Sequence, residues 1–260
     1  CTVGLMITKL HSPSELMGYF ANPFETLMKR AVKLNSELSI VQDSEDPLLK
    51  LISEKGIQHE LNIHKSLARK YQTSIAIKSG DRDSMIEATK SAMDSGIELI
   101  YQGALSDNTF FGLPDFLIKE EGISNFGNYQ YRILDAKLAK HIKPEYLIQL
   151  SCYSELLAST QGTLNPQAQI CLGDESYQVI NILDFYVFYQ KIKKLFITEM
   201  NSNNDQLPSP DNYRQWGAFS DYAETYFKNL DHLIQLPDIR ESQIKKFQEV
   251  EIITVGALAS

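Results

Sequence analysis

Two aspartates and a lysine lie in apolar segments, where a charged side chain is costly unless it has a partner or a function. Asp115 lies within GLPDFLI, and Asp135 and Lys137 lie within YRILDAKLA. Residues two apart on an extended chain point to the same face, so Asp135 and Lys137 share one side of a strand. Carboxylate oxygens bind Mg²⁺ and Mn²⁺, and an ammonium group stabilises charge that develops on a phosphate. The pattern indicates metal-assisted phosphodiester hydrolysis.

His59, in the middle of a helical pattern, is a candidate nitrogen ligand that would favour Mn²⁺. Each of these residues also has an ordinary structural explanation. A helix histidine is more often packed or solvent-facing, an aspartate after Gly-Leu-Pro is commonly a turn residue, and Asp135 with Lys137 is compatible with a surface ion pair. The combination, rather than any single residue, favours a functional site.

Four motifs occur in order along the chain: GIQHE (56–60), GLPDFL (112–117), ILDAKLA (133–139) and QLSCY (149–153). They resemble the His, Asp, D-x-K and Q-x-x-x-Y motifs of the RecB-like branch of the PD-(D/E)xK nucleases. The resemblance covers Ser12 to about Phe196. Within this branch, the chain most resembles bacterial RecB-like nucleases related to CRISPR-associated exonucleases. Such nucleases are often joined to an RNase H-like or helicase region in the same polypeptide.

The resemblance implies a metal site and its ligands. His59, Asp115 and Asp135 would bind Mg²⁺ or Mn²⁺, with the carbonyl of Ala136 as a further ligand. Glu60, beside the histidine, has no assigned role.

The resemblance also implies a catalytic set made of Asp115, Asp135, Lys137, Gln149 and Tyr153. Lys137 would be the catalytic lysine. Gln149 and Tyr153 are four apart on one helix face, where they would orient the lysine or contact the DNA backbone. Simple helix amphipathicity is the alternative explanation of that pair.

The chain departs from many of these relatives, which hold an iron–sulfur cluster on four cysteines. Asn22, Asp211, Arg214 and Ser220 stand approximately where those cysteines would be. A four-thiolate cluster cannot form on such residues, so no iron–sulfur cluster is expected. Packing must then tie the C-terminal helices to the body, with the following aromatic anchors: Trp216, Phe219, Tyr222, Tyr226 and Phe227.

Positive charge concentrates beside the proposed site, where Lys140 and Lys143 are candidate DNA-binding residues. A second cluster, Lys191, Lys193 and Lys194, is a weaker candidate, since such runs are usually solvated faces. The last 25 residues resemble a helix-hairpin-helix-like segment without its G-x-G hairpin. We therefore do not assign a DNA-binding role to that segment.

The composition bounds the class of protein. The chain has 260 residues, 43% hydrophobic and 22% charged, which excludes collagen-like and disordered classes. A net charge of −8 requires that any DNA contact use a local basic patch. Three cysteines without CxxC spacing favour a reducing, cytoplasmic setting, and no apolar run is long enough to cross a membrane.

The order of helical and strand patterns predicts an α/β restriction-endonuclease-like core, with a central mixed β-sheet flanked by helices. We expect a nuclease domain over residues 1–200 and a C-terminal helical extension over 201–260 that continues into a longer protein. Residues 47–71 predict one helix, and the segment EGISNFGN (121–128) predicts a loop. The helix would bury these residues: Leu48, Leu49, Leu51, Ile52, Ile57, Leu61, Ile63 and Leu67.

The expected function is a metal-dependent DNA nuclease, exonuclease-like on single-stranded DNA or DNA ends, in repair or DNA processing. One alternative is a catalytically inactive DNA-binding or scaffold module of a larger helicase or nuclease protein. Another is a metal hydrolase that acts on a phosphate substrate other than a nucleic acid.

Overall fold

The structure is a computed structural model that describes residues 10–35, 37, 39–44, 46–202 and 207–260. The chain forms two compact units. The first unit comprises the chain up to Ala21 together with Asp46–Asn201, and the second comprises Asn22–Glu45 together with Ser202–Ser260. Residues 22–45, which the sequence-based division placed in the nuclease domain, thus belong with the C-terminal segment. Cys1 and residues 203–206, near the start of the expected C-terminal extension, lie outside the described residues.

The α-helices of the described residues are α1 (Pro13–Ala21), α2 (Pro23–Leu34), α3 (Pro47–Lys70), α4 (Arg82–Asp94), α5 (Pro144–Gln161), α6 (Tyr186–Met200), α7 (Ser220–Asn229), α8 (Glu241–Glu249) and α9 (Val255–Ala259). The strands are β1 (Ser74–Ala76), β2 (Leu99–Tyr101), β3 (Leu105–Ser106), β4 (Phe111–Gly112), β5 (Phe116–Ser124), β6 (Gly127–Ala136), β7 (Gln167–Cys171) and β8 (Tyr177–Asn181). Within the described part of the chain, no helix is long and apolar enough to cross a membrane.

Capping residues define several helix ends. The Asn22 side chain accepts a hydrogen bond from the first turn of α2, and Pro23 occupies the first helical position, so α1 and α2 are separated at Asn22-Pro23. Asp46 and Pro47 begin α3 in the same way. Helix α5 ends at Gln161 and is capped by Gly162, whose φ of 75° favours glycine.

The first unit contains a six-stranded sheet in the order β1-β2-β5-β6-β7-β8. The pairs β1/β2 and β6/β7 are parallel, and the other neighbours are antiparallel. Helix α5 provides the connection that a parallel β6/β7 pair requires. The predicted α/β class, with a central mixed sheet flanked by helices, is confirmed. Strands β3 and β4 form a separate two-stranded sheet.

The segment 121–128 differs from its prediction as a loop. Strand β5 continues to Ser124 and β6 begins at Gly127, so the segment is largely the end of a hairpin. The pairing is irregular between Glu121 and Ser124, and Gly127 has a φ of 106°. A bulge and a glycine turn therefore produce a loop-like composition within paired strands.

The predicted buried face of α3 is correct only in its C-terminal half. Ile63 and Leu67 are buried in a core that includes Leu99, Phe116 and Leu134. The apolar residues of the N-terminal half are exposed: Leu48, Leu49, Leu51, Ile52 and Ile57. The apolar spacing is helical along the whole segment, but only the last turns lie against the sheet.

The second unit has its own apolar core around Phe24, Met28 and Phe219. Of the predicted aromatic anchors, Phe219 and Phe227 are buried and Trp216 is half-buried. Trp216 and Phe227 also line a cavity of about 460 Å³. The aromatic residues therefore pack inside this unit, where Phe219 contacts residues of α2.

The four positions that the motif resemblance aligns with cluster cysteines hold polar residues with hydrogen-bond partners in the second unit. The pairs are Asn22 with Glu25, Asp211 with Tyr226, Arg214 with Glu241, and Ser220 with Asp43. Hydrogen bonds and ion pairs of the second unit use these side chains or, for Ser220, the backbone amide.

Candidate functional site

The register of β5 and β6 brings the two predicted aspartates together. Phe116 pairs with Leu134 in this antiparallel ladder, so the next step places Asp115 opposite Asp135. Asp115 Oδ2 accepts a hydrogen bond from the Ala136 amide at 2.7 Å. Like charges directly opposite each other destabilise a sheet, so this pairing favours an additional positive charge nearby.

Lys137 supplies one such charge. Its Nζ lies 2.6 Å from Asp135 Oδ2, and the exposed fractions of the two side chains are 17% and 3%. Burial opposes the charged ammonium, but the carboxylates of Asp135 and Asp115 outweigh it and raise the pKa of Lys137. The lysine is therefore held in its protonated form.

Helix α5 orients the lysine through Gln149. Lys137 Nζ donates to Gln149 Oε1 at 2.7 Å, and Gln149 Nε2 donates to Ser14 Oγ at 3.2 Å. Gln149 is 5% exposed. Both ends of its amide are thus used, which fixes the direction of the acceptor that faces Lys137.

Tyr153, one turn further along α5, holds the segment that leads to Asp115. Its hydroxyl donates to the Leu113 carbonyl at 3.2 Å. A Cβ at Gly112 would lie 2.8 Å from Tyr153 Cε1 and 2.7 Å from Pro13 Cδ. The glycine of the GLPDFL motif is therefore required for this close approach. The sequence-based pairing of Gln149 and Tyr153 on one helix face is confirmed.

A backbone clamp positions the segment after β6. The Lys137 amide donates to the Cys171 carbonyl at 2.8 Å, and the Gly173 amide donates to the Ala139 carbonyl at 3.0 Å. A Cβ on Gly173 would lie 2.0 Å from the Leu138 carbonyl oxygen. Only glycine allows the two backbone segments to lie this close.

Asp115 has an electrostatically unfavourable environment. Burial, followed by the carboxylates of Asp135 and Glu60, raises the pKa of Asp115 well above its usual value, and Lys137 offsets only part of this effect. The site therefore carries more negative charge than Lys137 alone balances. Glu60 belongs to this electrostatic group, although sequence reasoning assigned it no role.

Glu60 is held by residues at the end of β2. Gln102 Nε2 donates to Glu60 Oε1 at 3.0 Å and to the Tyr101 hydroxyl at 3.3 Å. Burial and the hydrogen bond to Glu60 raise the pKa of Tyr101. Sequence reasoning missed Gln102 because it is 42 positions from Glu60 along the chain.

His59 lies on α3 and is half-buried. Its Nε2 is buried and has no hydrogen-bond partner among the residues that the structure describes. Among the residues that the structure describes, no three His, Cys, Asp or Glu side chains are arranged so that they could hold a metal ion. The ligand role of His59 therefore stays a prediction, whereas Asp115 and Asp135 are neighbours.

The two lysine clusters differ in their surroundings. Lys140 and Lys143 are exposed in the segment between β6 and α5. In the second cluster, Lys193 Nζ pairs with Glu155 Oε2 at 2.6 Å and is 15% exposed. Lys193 is thus occupied by an internal contact, and the first cluster remains the better candidate for binding phosphates.

Comparison with known proteins does not extend the family resemblance. No protein-family model matches this chain, and no curated protein matches its sequence. The four motifs and the geometry of the site are therefore the grounds for assigning a function.

Proposed function

We propose that this chain is a metal-dependent nuclease that hydrolyses phosphodiester bonds in DNA, built on a restriction-endonuclease-like core. The observation that carries the proposal is the convergence of Asp115, Asp135, Lys137 and Gln149 at one end of β5 and β6. These residues come from three of the four sequence motifs. Single-stranded DNA or DNA ends are the expected substrates, as the resemblance implies.

The donor set of the two aspartates suits Mg²⁺ or Mn²⁺. Mg²⁺ commonly binds proteins through one or two carboxylates and keeps water or substrate phosphate as its other ligands. Asp115 and Asp135 would hold the ion, with the Ala136 carbonyl and His59 as further proposed ligands. The carboxylates that raise the pKa of Asp115 favour the binding of such a cation. When bound, the metal would supply a hydroxide near neutral pH and stabilise charge on the phosphate.

The protein's own groups would position and stabilise the reacting phosphate. Because Lys137 is held protonated, its role is to stabilise negative charge on phosphate and to orient the attacking water, rather than to remove a proton. Asp135 and Gln149 fix the position of its Nζ. Tyr153 fixes the Leu113 carbonyl two residues before Asp115. Lys140 and Lys143 would contact the DNA backbone.

The test compares cleavage of labelled single- and double-stranded DNA with Mn²⁺, with Mg²⁺ and with EDTA. We expect metal-dependent cleavage by the native chain and its loss in Asp115→Ala and Lys137→Ala. Asp83→Ala and Lys90→Ala, two exposed positions on α4, are matched controls that should keep full activity.

Three results would contradict the proposal. DNA binding without cleavage under all three conditions would support the scaffold alternative. Cleavage that survives both Asp115→Ala and Lys137→Ala would place the activity elsewhere, or in a contaminant. If only phosphate esters other than DNA are hydrolysed, the chain is a metal hydrolase of a different specificity.

A further inference from the structure

Gln102 has an unusual backbone conformation beside the candidate site. Its φ is 52°, in the left-handed region that favours glycine. The other non-glycine residues of the described chain with positive φ are exposed: Glu175, Asp231, Asp238 and Glu251. Gln102 alone among these five is half-buried and bonded to residues of the candidate site. A strained conformation at such a position is typical of a functional site.

The neighbouring backbone holds Gln102 in this conformation. A Cβ on Gly103 would lie 2.8 Å from Leu117 Cδ1 and 3.2 Å from Thr89 Cγ2, so the chain after Gln102 is closely packed against these two side chains. The next amide, of Ala104, donates to Thr89 Oγ1 at 2.8 Å. These contacts fix the chain on the C-terminal side of the left-handed residue.

Gln102 contacts the site on two sides. Its backbone amide donates to the Asp115 carbonyl at 2.8 Å, one step beyond the pairing of Tyr101 with Phe116. Its side-chain amide donates to Glu60 on α3. Gln102 thus connects the backbone of Asp115 to the Glu60 carboxylate on α3.

The contact with Glu60 opposes a repulsion. Glu60 is close enough to Asp115 for the two carboxylates to interact electrostatically. An unrestrained glutamate side chain would move away from a like charge toward solvent. The amide of Gln102, assisted by the Tyr101 hydroxyl, holds Glu60 where its carboxylate still interacts with Asp115.

We infer that Gln102 is a positioning residue of the proposed nuclease site, which holds the Glu60 carboxylate toward Asp115 and thereby increases the affinity of the site for a divalent cation. This inference rests on the proposed function for the identity of the cation. It adds Gln102 and Glu60 to the residues that the sequence motifs indicate.

The experiment is a double-mutant cycle on the full chain with Gln102→Met, Glu60→Gln and the combined variant. Methionine keeps the size of the side chain and removes its hydrogen-bond donors. Glu251→Met, at an exposed residue with a φ of 64°, is the control for methionine in a left-handed conformation. The dissociation constant for Mn²⁺ is measured without DNA from the electron paramagnetic resonance of free Mn²⁺, together with the urea unfolding midpoint and Mn²⁺-dependent DNA cleavage.

Gln102→Met should weaken Mn²⁺ binding about tenfold, the lower end of the usual loss when a group outside the ligand shell of a metal site is removed. In the Glu60→Gln background the same change should have little further effect, because Gln102 acts through Glu60. At saturating Mn²⁺, Gln102→Met should recover most of the native cleavage rate. A purely structural role would instead lower the unfolding midpoint without changing Mn²⁺ affinity.

The outcomes separate this inference from the proposed function. Cleavage by the native chain, combined with Mn²⁺ affinity within twofold of native in Gln102→Met or with additive effects in the cycle, would overturn the inference and leave the nuclease proposal standing. Mn²⁺ binding that depends on Gln102 and Glu60, without any cleavage, would support the inference and refute the nuclease. A native chain that binds no Mn²⁺ would refute both.

Discussion

Helix α5 contributes to two clusters of buried or half-buried charges, and the two clusters differ in how their charges are matched. In the first, the Glu155 carboxylate accepts hydrogen bonds from four side chains of α6: Tyr186, Tyr189, Gln190 and Lys193. Burial by itself would raise the pKa of Glu155, but the bonds from Lys193, Tyr189 and Gln190 outweigh burial and hold that pKa below its usual value. This carboxylate is fully satisfied by the protein.

The second cluster lacks that balance. Asp115 faces Asp135 and Glu60, while Lys137 is the cation bound within the cluster and pairs with Asp135. A satisfied carboxylate stabilises the packing of two helices, whereas a carboxylate among like charges is a cost in the absence of a ligand. Such imbalance is typical of functional sites, and it distinguishes the Asp115 site from an equally polar structural contact.

The largest expected effect comes from removing the Lys137 ammonium group from the second cluster. Lys137→Met should lower the single-turnover rate of DNA cleavage by about 10²–10³, the usual cost of losing one group that stabilises charge in a transition state. The rate is measured on labelled DNA at saturating Mn²⁺. Lys90→Met, on the exposed face of α4, should leave the rate unchanged. A loss of less than tenfold would show that Lys137 does not contact the reacting phosphate.

A displacement of the same lysine should have a somewhat smaller effect. In Gly173→Ala the new Cβ collides with the Leu138 carbonyl, which shifts the backbone of Lys137. A shift of this kind should reduce cleavage by about 10²-fold or less. The matched control is Gly80→Ala, whose nearest atom would be 4.0 Å from the added Cβ. Equal rates for the two variants would contradict the proposed clamp.

Removing the Glu155 carboxylate from the first cluster should lower the stability of the fold and leave the rate of DNA cleavage unchanged. Glu155→Gln leaves Lys193 without its carboxylate and should lower the free energy of unfolding by about 1.5–3 kcal/mol. Urea denaturation measures this difference, with the exposed Glu87→Gln as the control. The cleavage rate of the folded variant should equal that of the native chain, and a large loss of rate would remove the distinction between the two clusters.

The pH dependence of this stabilisation has a definite sign. Since the pKa of Glu155 is lower in the folded chain than its ordinary value of 4.5, its contribution is complete above that value. It disappears as the pH falls through the folded-state pKa. The stability difference between the native chain and Glu155→Gln should therefore shrink below about pH 4.5 and be constant above it. A difference that grows on acidification would contradict this assignment.

The smallest effects concern the exposed lysines. Lys140→Ala and Lys143→Ala should each reduce the slope of log binding constant against log salt concentration by about one, because each removes one phosphate contact. Binding is measured in EDTA, which prevents metal-dependent cleavage. Lys90→Ala should leave the slope unchanged, and unaltered slopes in all three variants would show that the DNA lies elsewhere.

Local sequence patterns predicted the parts of the site that lie on one element. Alternation along a strand placed Asp135 and Lys137 on one face, and the helical repeat placed Gln149 and Tyr153 on another. The same reasoning explains the helix break at Asn22, where a capping side chain precedes a proline. These features depend on residues close together in the chain, so the spacing of residues in the sequence can predict them.

Features that depend on pairing between distant segments were not predictable in this way. The exposure of Leu49 and Ile57 follows from where α3 meets the sheet, which its own apolar repeat does not encode. Glu60 and Gln102 form a contact only because α3 lies near the end of β2. The clamp at Gly173 similarly joins the segment after β7 to the segment after β6.

The most direct test of the central claim is a crystal soaked in Mn²⁺ and measured for anomalous scattering. An anomalous peak is expected between the carboxylates of Asp115 and Asp135, and an Asp115→Asn crystal should lack it. Ordered side chains at both positions without such a peak, or an unchanged peak in the variant, would contradict the claim that these two aspartates form a divalent cation site.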